Sequence, residues 1–180
     1  LVLAFSKLLN QKAIHKPSAQ HVLDEDYYKR IEAIQFTMSH DDGKRTEDLS
    51  NSDVILLGVS RTSTNPTSIS LANRGLNTTN IPLVPNQNIP EDLKNENLKS
   101  CVIGLFADPD RLSDIRRNRV VLMKENRSSN YTDISSIKKE VEDSKNLFKK
   151  YNWQTIDVTR KSVEETADSI IKIIEIKKNK

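Results

Sequence analysis

Cysteine is nearly absent: Cys101 is the only one among 180 residues. No internal disulfide can brace the fold, and the chain suits a reducing, cytoplasmic setting. With Val102 and Ile103 beside it, the thiol reads as a small buried hydrophobe rather than a reactive group. Long apolar runs are missing too. Val54 to Leu57, and Ile170 to Ile176 with Lys172 interrupting it, fall far short of the ~20 residues that a membrane helix needs, which excludes a helical span. Leu1 to Leu9 has an apolar face but neither a preceding basic region nor a small-residue cleavage site, so it does not read as a secretory signal. Nor does charge of one sign prevail. The 28 basic and 25 acidic residues leave a net +3, which gives no reason to expect nucleic acid as a partner. Lys172, Lys177, Lys178 and Lys180 gather at the C-terminus as a solvated end. Glycine and alanine give way to asparagine, lysine and isoleucine, which points to a compositionally biased genome.

What is present suits one ordinary domain with some excess length. Charged residues make up 29% and hydrophobic ones 36% of the chain, the composition of a rather polar globular protein. The first residue is Leu1, and it opens into a helical pattern with no cap before it, so a further N-terminal region is expected. We divide the chain into residues 1–23, the remainder of that region and a connector, and residues 24–180, the domain proper. His15 and His21 fall in the connector and read as solvent-exposed rather than metal-binding.

From Asp24 onwards the pattern alternates. Asp24 can cap a helix carrying Tyr27, Tyr28, Ile31 and Ile34 at helical spacing, which runs into His40-Asp41-Asp42-Gly43. Asp53 to Leu57 has buried-strand character, and Pro66 is expected to open a helix through Ile69 and Leu71 towards Gly75. Thr78 to Val84 and Cys101 to Phe106 read as the second and third strands, with a helix from Asp108-Pro109 towards Met123. A long amphipathic helix then spans Asp133 to Tyr151, using Ile134, Ile137, Val141 and Phe148, and Trp153 follows as a core residue. Thr155 to Val158 reads as the last strand, and Ser162 with Glu165 forms a capping box for a final helix with Ala167, Ile170 and Ile174 on its apolar face. Strands alternating with helices imply an α/β fold: a mainly parallel sheet with helices on both faces, whose ligands bind at the C-terminal ends of the strands.

The first strand leads into Gly58-Val59-Ser60-Arg61-Thr62-Ser63-Thr64-Asn65-Pro66-Thr67-Ser68. That is where such sheets hold phosphate on backbone N–H groups and a helix N-terminus. Of the standard phosphate-loop pattern the first glycine is present, but the second glycine and the lysine are not, so spacing alone leaves a polar turn and a phosphate site both open. His40, Asp41 and Asp42 are candidates for acid/base or magnesium chemistry, because phosphoryl transfer needs a carboxylate near the attacking hydroxyl or the metal. The alternative is a turn that ends a helix. Arg116, Arg117 and Arg119 suit a phosphate or a protein target, or are surface charges of a helix. Asp157, Thr159 and Arg160 follow a strand end and can line the same cleft.

These segments together resemble a known family. The eleven-residue stretch from Gly58, with Leu71-Ala-Asn-Arg-Gly75 and Ile81-Pro-Leu-Val-Pro85 behind it, is similar to the signature of the bifunctional regulators of pyruvate, phosphate dikinase and phosphoenolpyruvate synthase. Arg30-Ile-Glu-Ala-Ile34, His40-Asp-Asp-Gly43, Ile115-Arg-Arg-Asn-Arg119 and Asp157 to Thr166 look like family segments in family order, and the likeness runs from about Tyr27 to the C-terminus.

The resemblance implies a serine/threonine kinase and phosphorylase. Such an enzyme takes ADP as phosphoryl donor to modify the threonine beside its target's catalytic histidine, and reverses the change with inorganic phosphate, releasing pyrophosphate. It implies that Gly58, Val59, Ser60, Arg61, Thr62, Ser63, Thr64 and Asn65 bind ADP and that His40, Asp41 and Asp42 are catalytic. By the same likeness Asp41 or Asp42 would hold magnesium, and Arg116, Arg117, Arg119 and Arg160 would contact phosphate or target. Pyruvate, phosphate dikinase is the implied partner, in the cytoplasm, with no nucleic acid or membrane involved and a homo-oligomer left open. The sequence departs from the family in one respect that bears on chemistry: where the family carries Lys-Thr before the proline, this chain has Thr64-Asn65. A lysine ammonium ~4 Å from a phosphate oxygen is worth on the order of 4 kcal/mol at an effective dielectric of 20. At ~1.4 kcal/mol per tenfold in rate, losing it implies an activity lower by about two to three orders of magnitude.

Overall fold

The computed structural model describes residues 10, 25–41, 49–85, 87–95, 98–123 and 129–178. The helix read over Leu1 to Leu9, the connector with His15 and His21, and Asp42 lie outside the described residues.

Strand β1 (Val54–Val59) forms because six consecutive residues are buried on both sides, as a central parallel strand requires. It pairs in parallel with β2 (Thr78–Leu83) on one side and β3 (Cys101–Phe106) on the other, and β4 (Gln154–Asp157) adds to β3, giving the order β2-β1-β3-β4. Alternate side chains face opposite layers. Val54, Leu56, Ile103 and Leu105 pack with Leu71 of α2 (Thr64–Ala72) and with Ala167, Ile170 and Ile174 of α5 (Val163–Lys178). Ile55, Leu57 and Val102 pack instead with Leu49, Leu93 and Phe148 of α4 (Ile134–Lys150), and Trp153 lies partly buried against that cluster. Close packing on this face depends on Gly104, where an added Cβ would come within 2.5 Å of the Phe148 ring. At the strands' C-terminal ends, Val59 and Ala107 meet Leu112 of α3 (Pro109–Met123) and Ile137 and Val141 of α4. The architecture is α/β, an all-parallel sheet with helices on both faces. Among the described residues no helix is long and apolar enough to cross a membrane.

Helix α1 (Glu25–Ser39) departs from the expected apolar stripe. Its buried residues are Ala33 and Thr37, while Tyr27, Tyr28 and Ile31 are exposed. The cause is its position along the outer edge of β2, where no strand pairs among the described residues. A bare edge leaves backbone donors unpaired, and α1 with the residue after it supplies acceptors: Thr37 Oγ1 takes the Thr78 N–H at 3.1 Å, and the His40 carbonyl takes the Asn80 N–H at 3.3 Å. A small alanine and a hydroxyl serve that close approach better than bulky apolar side chains would.

Candidate active site

The chain leaves β1 towards β2 on one side and later returns to form β3 on the other side of β1. The crevice at the strands' C-terminal ends, where the order reverses, is the usual ligand position in open α/β sheets. The segment after β1 occupies it, with bounds that differ from expectation. Gly58 and Val59 still belong to β1, held by pairing to Pro82, Leu83 and Leu105. Helix α2 starts at Thr64, two residues before Pro66. A proline is tolerated anywhere in a first helical turn because the N–H it lacks has no intrahelical acceptor there. Ser60 to Ser63 are therefore the turn proper, and Thr64 and Asn65 form the first turn of the helix.

Two non-glycine residues of the turn take left-handed backbone, Arg61 at φ 77° and Ser63 at φ 60°, a conformation that costs about 1–2 kcal/mol per residue. Thr62, fully buried, ties the turn back on itself by donating Oγ1–H to the Val59 carbonyl at 2.9 Å. That fold-back needs Gly58: a Cβ there would lie 2.3 Å from Thr62 Oγ1 and 3.1 Å from the Leu105 carbonyl. Ser63 is the N-cap of α2 but its side chain accepts no capping bond, and the first intrahelical bond runs from Thr67 N–H to the Ser63 carbonyl at 3.1 Å. The start of α2 thus lacks a side-chain cap and carries the partial positive charge of the helix dipole.

Behind the turn stands Arg116, wholly buried. Its guanidinium donates to the Ser60 carbonyl from Nε at 3.3 Å and Nη2 at 3.1 Å, to the Tyr131 carbonyl from Nη1 at 3.2 Å, and to Glu140 Oε2 at 2.7 Å. The Tyr131 ring lies 4.9 Å from the guanidinium carbon, and its hydroxyl is 3.1 Å from Ser60 Oγ and 3.4 Å from Arg61 Nε. Burial works to raise the Tyr131 phenol, but its hydrogen bonds to Ser60 and Arg61 and the charges of Arg61 and Arg116 outweigh that and leave it below the usual phenol value.

Asp41 comes to the same place from the other side. Its Oδ2 accepts from Asn65 Nδ2 at 3.0 Å and its Oδ1 from Asn80 Nδ2 at 3.0 Å, and Asn80 also bonds Asn65 Oδ1. Neighbouring His40 is buried and stacked on Phe36, with Nδ1 on the Phe36 carbonyl at 2.8 Å. A carbonyl only accepts, so Nδ1 carries the proton in this arrangement. His40 Nε2, Asn80 Oδ1 and Thr67 Oγ1 are buried and find no hydrogen-bond partner among the described residues. Buried polar atoms are seldom left unpaired in folded proteins.

Of the candidates read from the sequence, the structure brings together Asp41, His40 and the whole segment from Gly58 to Asn65. Arg116 joins them from beneath, bonded to the turn's backbone and not a surface charge. Arg117 and Arg160 are exposed, and Arg119 is half-buried with its Nε unpaired. Asp157 and Thr159 tie the ends of β3 and β4, since the Asp108 N–H donates to Thr159 Oγ1 at 2.9 Å. Among the described residues no group of three His, Cys, Asp or Glu gathers as a metal site. Sequence reasoning missed Asn80, Tyr131 and Glu140. Asn80 had a signal, an amide at the centre of a strand where asparagine is disfavoured. Glu140 had another, a charge beside the apolar stripe of Ile137 and Val141.

A strand, a strained polar turn and an uncapped helix start at a sheet's switch point make this an α/β protein with a phosphate-loop-like strand–turn–helix. Residues 1–171 match the sequence profile of the kinase/pyrophosphorylase family, and the chain belongs to that family. It is 64% identical over 179 residues to a protein of Pelagibacter ubique that bears the provisional name of a pyruvate, phosphate dikinase regulatory protein, covering 99% of this chain and 65% of that relative. Relatives with the same name from Caulobacter vibrioides and Sphingopyxis alaskensis are 45% and 46% identical, over 97% and 96% of this chain and 55% and 63% of theirs. The chain thus spans less than two thirds of the length of these relatives.

Proposed function

We propose that this chain carries the ADP-dependent protein kinase and phosphate-dependent phosphorylase chemistry of its family, acting on the active-site threonine of pyruvate, phosphate dikinase in the cytoplasm. The observation that carries this reading is the hydrogen bond from Asn65, in the first turn of α2, to the Asp41 carboxylate. It joins the candidate acid/base group to the candidate phosphate turn. In the forward direction the turn's backbone N–H groups and the start of α2 hold the ADP phosphates, and Asp41 receives the proton of the attacking threonine hydroxyl as the β-phosphoryl group passes to it and AMP leaves. In reverse, inorganic phosphate attacks the phosphothreonine and pyrophosphate departs. The oxygens of Asp41, Asn65 and Asn80 suit magnesium, a hard cation that binds through one or two carboxylates plus substrate phosphates. The unpartnered Asn80 Oδ1 agrees with such a ligand. Magnesium would neutralise charge developing on the phosphates.

A second reading, a catalytically impaired binder of nucleotide or target, draws on Thr64 at the first position of α2, where the family's lysine would stand. Both readings meet in one experiment. Label transfer from β-labelled ADP to the dikinase, beside calorimetric ADP binding, is measured for the native chain and for Thr64→Lys. The expected outcome is slow transfer by the native chain and a rate increase of about 100-fold or more in the variant, with a smaller gain in affinity. Equal rates would point to Arg61 as the working cation. Binding without transfer in both variants would favour the impaired reading.

A further inference from the structure

The amino-terminal ends of the strands, opposite the turn, carry a cleft of about 630 Å³. Ser100 and Cys101 line it where β3 begins, and Gln154 where β4 begins. Cys101 pairs in register with Val54, the first residue of β1. At ~3.3 Å per residue, the length of β1 puts roughly 17 Å between this cleft and the turn that follows the strand. The end of α4 builds an aromatic wall. Asn152 takes left-handed backbone at φ 53°, the Trp153 N–H returns to the Phe148 carbonyl at 2.9 Å, and the Asn152 N–H bonds the Lys149 carbonyl at 3.2 Å. That pair of bonds ends a helix with a reversal of the chain. It brings the Tyr151 and Trp153 rings face to face, centroids 4.8 Å apart and planes 19° off parallel, and both residues line the cleft.

Ile173 and Ile176 of α5 add apolar surface, and Ile176 is 60% exposed. Among the described lining residues Lys177 carries the only charge. Its ammonium donates to the Ser100 carbonyl at 3.3 Å, and no described carboxylate forms an ion pair with it. The charge reaches the Cys101 thiol as well: burial pushes that thiol up, and Lys177 works against the rise. Apolar and aromatic walls with one cation and no countercharge favour a ligand that has a hydrophobic body and a single negative charge. A neutral solute would leave the ammonium unanswered. A polyanion would meet one cation only, and its remaining charges would lose water against apolar side chains at a cost. The volume lies within the ~300–1,000 Å³ of small-molecule sites. We propose that this cleft binds a small organic carboxylate with an aromatic or aliphatic body, its carboxylate on Lys177 and its body against Trp153, Ile173 and Ile176. This site is separate from the phosphate turn and does not depend on what the turn binds.

Trp153 is the only tryptophan in the chain, so its emission reports occupancy of the cleft. Phenylbutyrate and its uncharged amide are titrated into the native chain, Lys177→Gln and Ile176→Glu, by fluorescence and by calorimetry. Both substitutions fall at exposed positions, and thermal melting checks that the fold is kept. The expected result is saturable one-to-one binding of the acid by the native chain, with the amide weaker by about fivefold, the upper end of what a single exposed ion pair gives. Lys177→Gln should bring the acid to within about twofold of the amide and leave the amide's own affinity unchanged. Ile176→Glu, which removes apolar surface and adds a repelling charge, should weaken the acid by about fivefold or more. Absence of saturable binding overturns the proposal, as does equal affinity for acid and amide in the native chain. A preference for the acid that survives in Lys177→Gln overturns it too, because the carboxylate would then lie elsewhere. Displacement of the acid by pyrophosphate would put it on the turn and refute the cleft.

Discussion

The turn from β4 into α5 and the turn from β1 into α2 place a serine at the same point, just before a helix, and use it differently. At the start of α5, Ser162 Oγ accepts the Glu165 N–H at 3.1 Å and Glu165 Oε2 accepts the Ser162 N–H at 2.8 Å, a reciprocal capping box. Helices α3 and α4 are likewise served by carboxylates: Asp108 Oδ1 accepts from Asp110 and Arg111, and Asp133 Oδ2 from Ser136. At the start of α2, Ser63 is left-handed and caps nothing, while a buried arginine, a tyrosine and a strained Arg61 hold the turn open. A helix start that satisfies its own donors is complete without a ligand. One held in an unfavourable conformation by distant residues breaks a local rule, and local rules are most often broken where function requires it.

The comparison can be broken at several points, the largest effect first. Arg116→Ala should destabilise the chain by about 3–5 kcal/mol, because it strands Glu140 and two carbonyls that the guanidinium now satisfies. Urea unfolding measures this, and a loss below about 1 kcal/mol would mean that the turn is not held from beneath. Gly58→Ala puts a Cβ 2.3 Å from Thr62 Oγ1 and should cost about 1–3 kcal/mol. ADP affinity should drop in step, since the turn must shift to make room; calorimetry that finds the affinity unchanged would separate the turn from the nucleotide.

Smaller effects belong to the completed turns. Ser162→Ala removes a cap and should cost about 1 kcal/mol by thermal or urea unfolding, with ADP affinity untouched; a change in affinity would erase the contrast between the two turns. The least effect is pH-dependent. The Asp133 carboxyl is held below the usual carboxylate range by the Ser135 hydroxyl and then by Ser136. A depressed carboxylate gives its full stabilisation above its unfolded value, near pH 4, and loses it as the pH falls through the folded one. The stability difference between the native chain and Asp133→Asn should therefore shrink as unfolding is followed from pH 6 to below about pH 4. No comparable carboxylate cap exists at α2, where Ser63 stands.

Much of the scaffold was legible in the sequence because it obeys short-range rules. Cys101 to Phe106 is the third strand as read, Ser162 caps the helix it was expected to cap, and Asp133, read as the first residue of its helix, is that helix's N-cap. Apolar periodicity and cap chemistry act within a few residues, where sequence order and spatial order coincide. The family signature marked the turn and Asp41. Tertiary structure alone decided what holds them. Tyr131 meets Ser60 across 71 positions, Arg116 meets Ser60 across 56, and Asn80 meets Asp41 across 39. The burial of Arg116, the choice of Ala33 and Thr37 as the inner face of α1, and the two-residue shift in the start of α2 have the same origin. Each depends on which polar groups the assembled sheet leaves in need of partners, and that need exists only once β1, β2 and β3 lie side by side.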